Sequence, residues 1–499
     1  MDRKHDIKVV KLYIDKEFVD SKLGKFYDVW SPYTNKVIAK VVDAETYDVD
    51  LAVDAARRAL RYDSEWRTMD KIDRGLLFHR FVDLIDRDRD YLAWLEAINT
   101  GRTITDVRRD IEDMVKVLRY YAGYTDKIFG RTMLDTYDDL EFIRKEPIGV
   151  VGLVSDYKSP MLTFIRKIAP VLVTGSTVVY KPSYKTPLTT LYLTKLIDEV
   201  GFPKGVVNVL TGRGDVVGKA IGMHDYINHV TFTGRRDIGR LYLDYAGKTN
   251  MKRVKLFLDD RSPLIVLKDA DIDDAIKIAH HAAFYRDGLT RFKVGRIFVH
   301  DDVYDTFVKK SLDLIKRRTF GDIFEDRTHV GHLIDEVRLK RFLDFIDLVK
   351  KDGAKILYGG KRYGTTGYIV EPTIITDVTD DMRLLKEDIY GPIAVVSRFK
   401  TLDDILDWTR KSKYGLGAGI VTKDFEKLIH LTKRLDTGLV WINTWHHLKP
   451  YLNYGSRRLS GNGDHLGYDL INEYLVNKTV HGHLDTKGFT RYFDKDIIY

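Results

Sequence analysis

The stretch FYRDGLTRFKVGRIFV, residues 284–299, places a hydroxyl and a guanidinium side by side at Thr290 and Arg291. A threonine hydroxyl attacks a carbonyl only when an adjacent base takes its proton, and the sequence shows no such base beside Thr290. Arginine stays protonated at physiological pH and offers no lone pair, so Arg291 cannot act as a nucleophile. Because none of the 499 residues is cysteine, thiolate catalysis, disulfides and cysteine metal ligands are excluded.

Two histidine pairs are the other residues whose type could bind a metal ion. His446 and His447 form a doublet, and His481 and His483 form an HxH pair. A metal site needs three or four convergent ligands, and each pair supplies two. The sequence therefore predicts no metal site.

A glycine-rich loop, GRGDVVG at Gly212–Gly218, follows a predicted strand. Its spacing misses the usual dinucleotide pattern GxGxxG by one residue, and a single glycine loop is a weak signal. A dinucleotide loop and an ordinary turn between a strand and a helix both stay open at this point.

Composition and charge limit the class of protein. The chain is 44% hydrophobic and 31% charged, as soluble globular proteins are, and its length allows two or three domains. Its 82 basic and 74 acidic residues are interspersed, whereas a nucleic-acid binder concentrates its basic residues on one face. The amino terminus lacks a secretory or mitochondrial address, and no window reaches the length of a membrane span. We expect a cytoplasmic protein with no nucleic-acid or membrane partner.

The pattern of apolar residues indicates an α/β fold. Helical spacing marks residues 48–60, 77–85 and 110–130 in a helix-rich first part. Short β-branched runs bounded by Gly, Pro and Ser are typical of buried parallel strands, and they alternate with helical segments from residue 146 onward. These runs are EPIGVVGLVS, GSTVVYKPS, GVVNVLTG, HVTFTG, PLIVLKD, GRIFV, AKILYGG, IAVVSRF and TGLVWIN.

Several strings occur in a fixed order from about Leu12 to Val480. They are SEWRTMD, LRYYAGYTDKIFG, EPIGVVG, KIAPVL, VVYKPS with TPLT, GFPKGVVNVLTG, VTFTG, KEDIYGP, YGLGAGIVTKD and SGNGDHLG. The ordered set resembles the aldehyde dehydrogenase superfamily, specifically its animal class 1 and 2 members.

The resemblance implies an α/β aldehyde dehydrogenase-like fold with two Rossmann-like domains and a β oligomerisation arm. Residues 1–124 and 148–259 correspond to the nucleotide-binding domain and residues 260–474 to the catalytic domain. Residues 125–147 and 475–499 correspond to the bridging segment that pairs strands between subunits. A homo-oligomer, dimer or tetramer, is therefore expected.

The same resemblance implies a chemistry whose three main residues are replaced. Arg291 stands where the family has its cysteine nucleophile, Phe257 of FLDD where it has the glutamate base, and Lys158 of DYKSP where it has the oxyanion asparagine. Phenylalanine moves no proton. We therefore predict that the chain has no catalytic residues and is not an enzyme.

A lysine at 158 beside Arg291 costs Coulomb energy unless acids neutralise both cations. Asp156, Asp259 and Asp260 are the acids that could neutralise these cations. We therefore predict an ion network in place of the family's catalytic groups.

The nucleotide contacts implied by the resemblance are mixed. Lys181, Gly234, Gly239 and Asp388 match or nearly match family positions and are vestigial cofactor-binding residues in this interpretation. Tyr184 replaces a ribose-binding glutamate and Arg235 replaces a small serine beside the pyrophosphate; an arginine there could attract a phosphate or block its place. On balance the sequence predicts no cofactor and no retained NAD binding.

A folded, cysteine-free oligomer without its chemistry resembles the ω-crystallins, structural proteins of cephalopod eye lenses that derive from aldehyde dehydrogenases. Three alternatives remain: a catalytically dead subunit or scaffold of another assembly, an NAD-binding sensor, and an enzyme that uses a different nucleophile such as Thr290.

Overall fold

The segments predicted as buried strands lie within two seven-stranded sheets in the computed structural model. The structure describes residues 7, 10–133, 139–387 and 391–483. Within these residues the strands are β1 Leu12–Ile14, β2 Glu17–Val19, β3 Phe26–Ser31, β4 Lys36–Val42, β5 Arg131–Thr132, β6 Asp139–Pro147, β7 Val150–Val154, β8 Thr177–Lys181, β9 Val207–Val209, β10 His229–Thr233, β11 Arg253–Phe257, β12 Ser262–Val266, β13 Val294–His300, β14 Lys355–Tyr358, β15 Thr373–Thr376, β16 Ile393–Phe399, β17 Gly417–Val421, β18 Leu439–Ile442, β19 Tyr454–Gly455, β20 Asp464–His465 and β21 Leu475–His483.

The α-helices of the described residues lie between these strands and cover the sheets. They are α1 Thr46–Arg58, α2 Glu65–Thr68, α3 Lys71–Arg87, α4 Arg89–Thr100, α5 Ile104–Ala122, α6 Pro160–Val173, α7 Leu188–Val200, α8 Lys219–Met223, α9 Arg236–Gly247, α10 Ile272–Phe284, α11 Asp301–Ile315, α12 Glu336–Lys351, α13 Leu402–Lys411, α14 Phe425–Thr432 and α15 Asp469–Glu473. In the described part of the chain, no helix is long and apolar enough to cross a membrane.

The first sheet has the order β11-β10-β7-β8-β9-β1-β2. Strands β11 to β9 run parallel, and β1 and β2 add an antiparallel edge. Every residue of β7, β8 and β10 is buried. Their continuous β-branched runs match this environment, since helices cover both faces of a parallel sheet.

The second sheet has the order β14-β15-β16-β13-β12-β17-β18 and is parallel except at β14. Its strands come from residues 355–442 together with β12 and β13. The α/β class predicted from the sequence is confirmed. The exact domain boundaries stay a prediction.

The arm is a three-stranded sheet in which β21 pairs antiparallel with β6 over nine residues, from Leu475 opposite Pro147 to His483 opposite Asp139. This pairing joins two segments of the predicted bridging region that lie more than 300 positions apart in the chain.

The prediction that the first part of the chain is helix-rich did not include strands β1 to β4, which lie before α1. Strands β1 and β2 are joined by Asp15 and Lys16, both with positive φ, 52° and 66°. Such a two-residue turn is usually recognised by Asn-Gly or Asp-Gly, so Asp-Lys gave no signal. The loop at Gly212–Gly218, by contrast, forms a π-helical turn at Gly214–Gly218 that leads from β9 into α8.

Candidate active site

Three loops meet at the carboxyl edge of the first sheet, where α/β proteins bind their ligands. The loop after β7 carries Asp156 and Lys158, β11 ends at Phe257, and the segment before β13 carries Arg291. The fold therefore brings together Lys158, Phe257 and Arg291, the three positions to which the resemblance assigns catalytic groups.

Arg291 is held by two acceptors. Its Nη2 lies 2.8 Å from Oδ2 of Asp156, and the two side chains are 17% and 13% exposed. Its Nη1 donates to the carbonyl oxygen of Phe257 at 2.7 Å. A guanidinium so engaged is fixed in place and cannot act as a nucleophile.

Lys158 forms the second ion pair, with Asp259. Burial alone would raise the pKa of Asp259, but Lys158 and Arg291 hold it below its ordinary value, so the carboxyl stays ionised. The ion network predicted from the sequence is confirmed for these two pairs. Asp260 does not take part: its carboxylate accepts hydrogen bonds from Ser262 and Ser460, away from both cations.

Phe257 is 5% exposed and packs against His465, with ring centroids 3.7 Å apart. Its side chain fills the place that the resemblance assigns to the general base, and no carboxylate stands there. The ring also lies 5.5 Å from the Nζ of Lys167.

A base does lie beside Thr290, contrary to the expectation from the sequence. Nε2 of His446 is 3.2 Å from Oγ1 of Thr290. His446 is 156 positions away in the chain, so only folding brings the two together, and the histidine doublet gave no hint of it.

The hydrogen bonds of His446 decide whether it can activate Thr290. Nε2 also lies 3.2 Å from the carbonyl oxygen of Phe292. An unprotonated Nε2 would set its lone pair against that oxygen, so Nε2 carries the proton and donates. Burial also lowers the pKa of His446 well below its ordinary value. This tautomer cannot accept the proton of Thr290.

A cavity of about 120 Å³ lies beside Arg291, between α6 and the segment 285–292. The two ion pairs thus lie at the edge of the cleft without closing it. Arg166 and Arg286 also line the cavity, and neither was predicted from the sequence as a site residue. Arg166 lies on α6, whose apolar pattern is that of an ordinary buried helix, so no local signal marked it.

Next to the cavity, Arg286 and Asp287 both adopt left-handed backbone conformations, with φ of 53° and 54°. Such conformations are costly for residues other than glycine and are kept only when the surroundings fix them. Arg286 donates to Ser159 and pairs with Asp110. Asp287 accepts from the backbone N–H of Gly331 at 3.1 Å.

Burial raises the pKa of Asp287 to about 7. A raised folded-state pKa means that its contribution to stability is present at low pH and lost as the pH rises through 7. Between pH 6 and pH 8 we expect this carboxyl to lower the free energy of unfolding by about 1.4 kcal/mol. Asp287→Asn should remove that share of the pH dependence, measured by urea unfolding at both pH values.

The matched control is Asp63→Asn, at a side chain 82% exposed. This variant should show the same difference in the free energy of unfolding between pH 6 and pH 8 as the unmodified protein. If Asp287→Asn also left that difference unchanged, Asp287 would not be the group whose titration lowers the stability. Burial also raises the pKa of Glu96 to about 7. Glu96 therefore contributes a second decrease in the free energy of unfolding between pH 6 and pH 8, which remains in the Asp287→Asn variant.

The nucleotide-contact positions predicted from the resemblance lie around β8, β10 and α9. Lys181 is buried, and its Nζ donates to the carbonyl oxygen of Pro182. Gly234 follows β10 and donates its N–H to the carbonyl oxygen of Phe257 at 3.2 Å. Gly239 packs so closely on Leu258 that an added Cβ would lie 2.7 Å from that side chain. Asp388 lies outside the described residues.

Tyr184 and Arg235, which the resemblance places near the ribose and the pyrophosphate, each contact another side chain of the chain. The ring of Tyr184 stacks on Tyr27 with centroids 3.9 Å apart. Arg235 folds back onto the first turn of α9, where its guanidinium pairs with Asp237 at 2.7 Å. Arg235 therefore lies at the surface, with its charge balanced by Asp237.

Among the described residues, no group of three or more His, Asp or Glu side chains could hold a metal ion. His446 contacts Thr290 and Phe292, and His481 lies 2.7 Å from Glu141. The two histidine pairs therefore have separate surroundings.

Two largely parallel seven-stranded sheets covered by helices, with a three-stranded arm formed by the last strand, define an α/β protein whose candidate site lies at the carboxyl edge of the first sheet. Residues 18–480 match the Aldehyde dehydrogenase family. The chain belongs to that family.

Its relatives carry two kinds of name. Aldehyde dehydrogenase 1A1 of Mesocricetus auratus is 42% identical over 475 residues, 95% of each chain. Omega-crystallin of Enteroctopus dofleini is 40% identical over 476 residues, 95% of this chain and 96% of that protein. The similarity is therefore shared between enzymes and a crystallin at nearly equal levels.

Solved structures correct the cofactor prediction. The NAD+ complex of aldehyde dehydrogenase from Bacillus cereus has a TM-score of 0.93 and 36% identity, and covers 96% of this chain and 97% of that one. PnpE in complex with nicotinamide adenine dinucleotide has a TM-score of 0.92 and 34% identity, covering 96% and 98%. The expectation of no cofactor is wrong, because NAD binding is a feature of the family.

The residues present fit NAD unevenly. At the phosphate end, α9 begins directly after Arg235, and a helix amino terminus suits an anion, but the guanidinium of Arg235 is paired with Asp237. At the nicotinamide end implied by the resemblance, Asp259 carries a side chain where the family has glycine, and that carboxylate is paired with Lys158. The amino terminus of α9 therefore suits NAD, whereas the side chain of Asp259 does not.

Proposed function

We propose that this chain is a structural protein derived from an aldehyde dehydrogenase, of the ω-crystallin kind, with little or no dehydrogenase activity. The observation that supports it most directly is the fixed guanidinium of Arg291, which bonds Asp156 and the carbonyl of Phe257. Nucleophile, base and oxyanion donor are replaced together, while the core and the sheets of the family are kept.

The chain's own residues provide no route for the reaction. Bound NAD supplies a hydride acceptor in this family, but hydride leaves only from a covalent adduct of an aldehyde with a nucleophile. Arg291 cannot form that adduct, and Thr290 faces the protonated Nε2 of His446. Phe257 cannot activate a water.

A second candidate is a nucleotide-binding subunit or sensor without turnover. The amino terminus of α9 and the NAD complexes of similar structures favour it. In both proposals the chain forms a homodimer or homotetramer through the arm of β5, β6 and β21. A cytoplasmic location is proposed with it, since a relative from Rattus norvegicus, 41% identical, is named as cytosolic.

The test is an assay of NAD- and NADP-dependent oxidation over a panel of aldehydes, with nucleotide binding followed by calorimetry in the same preparation. We expect no turnover. Nucleotide binding without turnover would favour the sensor, and neither would favour the structural role. Clear turnover would contradict both proposals.

A further inference from the structure

A groove of about 630 Å³ lies between the start of α3 and the arm. We call it the arm groove; residues from 67–74, 125–132, 142–147 and 174–175 line it together with Leu475. Its size falls within the roughly 300–1,000 Å³ that is usual for ligand pockets. The arm groove shares no lining residue with the cavity beside Arg291, so it is separate from the candidate active site.

Basic residues line the arm groove from both sides. They are Arg67, Lys71 and Arg74 from α2 and α3, and Arg131, Arg144 and Lys145 from β5 and β6. Within the part of the chain that the structure describes, no salt bridge joins any of these six residues to an acid. Among the described lining residues the single acid is Glu146, which is paired with Lys478 at 2.7 Å. The arm groove therefore has an excess of positive charge.

Three of the arginines act on one another's surroundings. Lys478, together with Arg144 and Arg67, holds the pKa of Glu146 below its ordinary value. Burial, followed by repulsion from Arg67, lowers the pKa of Arg74 to about 10. Arg67, Arg74 and Arg144 come from three different elements, and these interactions place them around the same region of the groove.

Arg74 is the buried member of this set, with only 9% of its surface exposed. Its guanidinium lies over the ring of Trp66, 4.5 Å from the ring centroid, and its Nη2 donates to the carbonyl oxygen of Trp66 at 3.2 Å. Neither contact supplies a negative charge. A buried cation without a counterion is costly, so an anion beside Arg74 would be stabilising.

The Nη1 of Arg74 is the donor that reaches the arm groove. It lies next to Gly175, another lining residue, where an added Cβ would be 2.9 Å from Nη1. Because Gly175 has no side chain, position 175 does not cover the guanidinium. Among the described residues Nη1 has no hydrogen-bond partner, and it is not enclosed by protein, whereas Nε of the same side chain is enclosed. The groove therefore receives an unpaired donor from a largely buried arginine.

The amino end of α3 adds to the positive field. Lys71 and Arg74 lie in the first turn of this 17-residue helix, where the helix dipole favours anions and disfavours cations. Asp70 and Asp73 lie beside this turn, but neither lines the groove, and the carboxylate of Asp70 accepts from the N–H of Ile72 at 2.7 Å. An anion in the groove would interact favourably with both the helix end and the two cations.

The arrangement of the donors favours phosphate over carboxylate. A carboxylate offers two oxygens in one plane, whereas a phosphate group offers three strong acceptor oxygens in different directions and a higher charge. We propose that the arm groove binds a small molecule with several linked phosphate groups, held by Arg67, Arg74 and Arg144. This binding uses neither the candidate active site nor NAD, so it is independent of whether the protein oxidises aldehydes.

The test is calorimetric titration of the purified full-length protein with inorganic tripolyphosphate, beside inorganic phosphate and citrate. We expect tripolyphosphate to bind at least about tenfold more tightly than either, because a single phosphate carries less charge and citrate offers only planar carboxylates. Excess NAD should leave the affinity for tripolyphosphate unchanged. Displacement by NAD would place the anion in the nucleotide site and overturn the proposal.

Variants locate the bound anion. Arg74→Gln should weaken tripolyphosphate by at least about tenfold, because a hydrogen bond between charged groups is lost. Arg144→Gln should weaken it as well, and its exposed position makes misfolding an inadequate explanation. The matched control is Arg80→Gln, an exposed arginine of α3 outside the groove, which should leave the affinity unchanged.

The controls also fix what would contradict the proposal. No binding of tripolyphosphate would mean that the groove is covered or neutralised in the assembled protein, and the proposal would fail. Binding of citrate or of single phosphate with equal affinity would remove the preference for linked phosphates. Unchanged affinity in both Arg74→Gln and Arg144→Gln would place the anion elsewhere on the molecule.

Discussion

Purified protein is expected to oxidise aldehydes roughly a million-fold more slowly than an active relative such as aldehyde dehydrogenase 1A1 assayed in parallel. In another covalent enzyme, loss of the nucleophile alone costs about that factor in kcat. Here Arg291 bonds Asp156 and Phe257 and has no lone pair to attack with. Because catalytic groups act as a unit, the absence of a base at Phe257 should add little to that loss.

Variants show which residue is responsible for any residual rate. Arg291→Cys restores a thiol but neither the base nor the oxyanion amide, so we expect its rate to stay far below that of the active relative. Thr290→Ala should leave the residual rate unchanged, because Nε2 of His446 donates toward Phe292 and does not accept from Thr290. A measurable native rate that Thr290→Ala abolishes would instead establish threonine as a nucleophile.

The parallel sheets were predictable because their strands are continuous β-branched runs, which few other environments tolerate. Strand β8, TVVYK, is an example: all five residues are buried. The hairpin at Asp15 and Lys16 was not predictable, because its left-handed turn lacks the glycine that normally marks one. Local sequence therefore identified most of the buried strands, but it missed β15 and β17, which are fully buried, and the hairpin at the sheet edge.

At the site, charge balance predicted partners but not geometry. A cation at 158 beside Arg291 required acids, and Asp156 and Asp259 provide them. The same reasoning could not tell that Asp260 turns to serine hydroxyls. Nor could it place His446 against Thr290, since that contact depends on packing between distant segments of the chain.

Arg291→Ala is expected to lower the free energy of unfolding by about 3 kcal/mol, because removal of one partner of a largely buried ion pair leaves the other charge uncompensated. Asp156 would lose its counterion, and the carbonyl of Phe257 would lose one donor. The measurement is the urea midpoint at one fixed protein concentration, since oligomer stability depends on concentration. Arg119→Ala, at an exposed position, should change it by less than about 0.5 kcal/mol.

A double-mutant cycle isolates the ion pair from the loss of packing. Arg291→Met keeps much of the side-chain volume, and Asp156→Asn keeps an acceptor for the N–H of Lys158. The double variant should be more stable than the sum of the two single losses predicts, because no charge is then left unpaired. Additive losses would mean that Arg291 and Asp156 stabilise the cleft separately, and the ion pair would then not be the reason that an arginine is accommodated at this position.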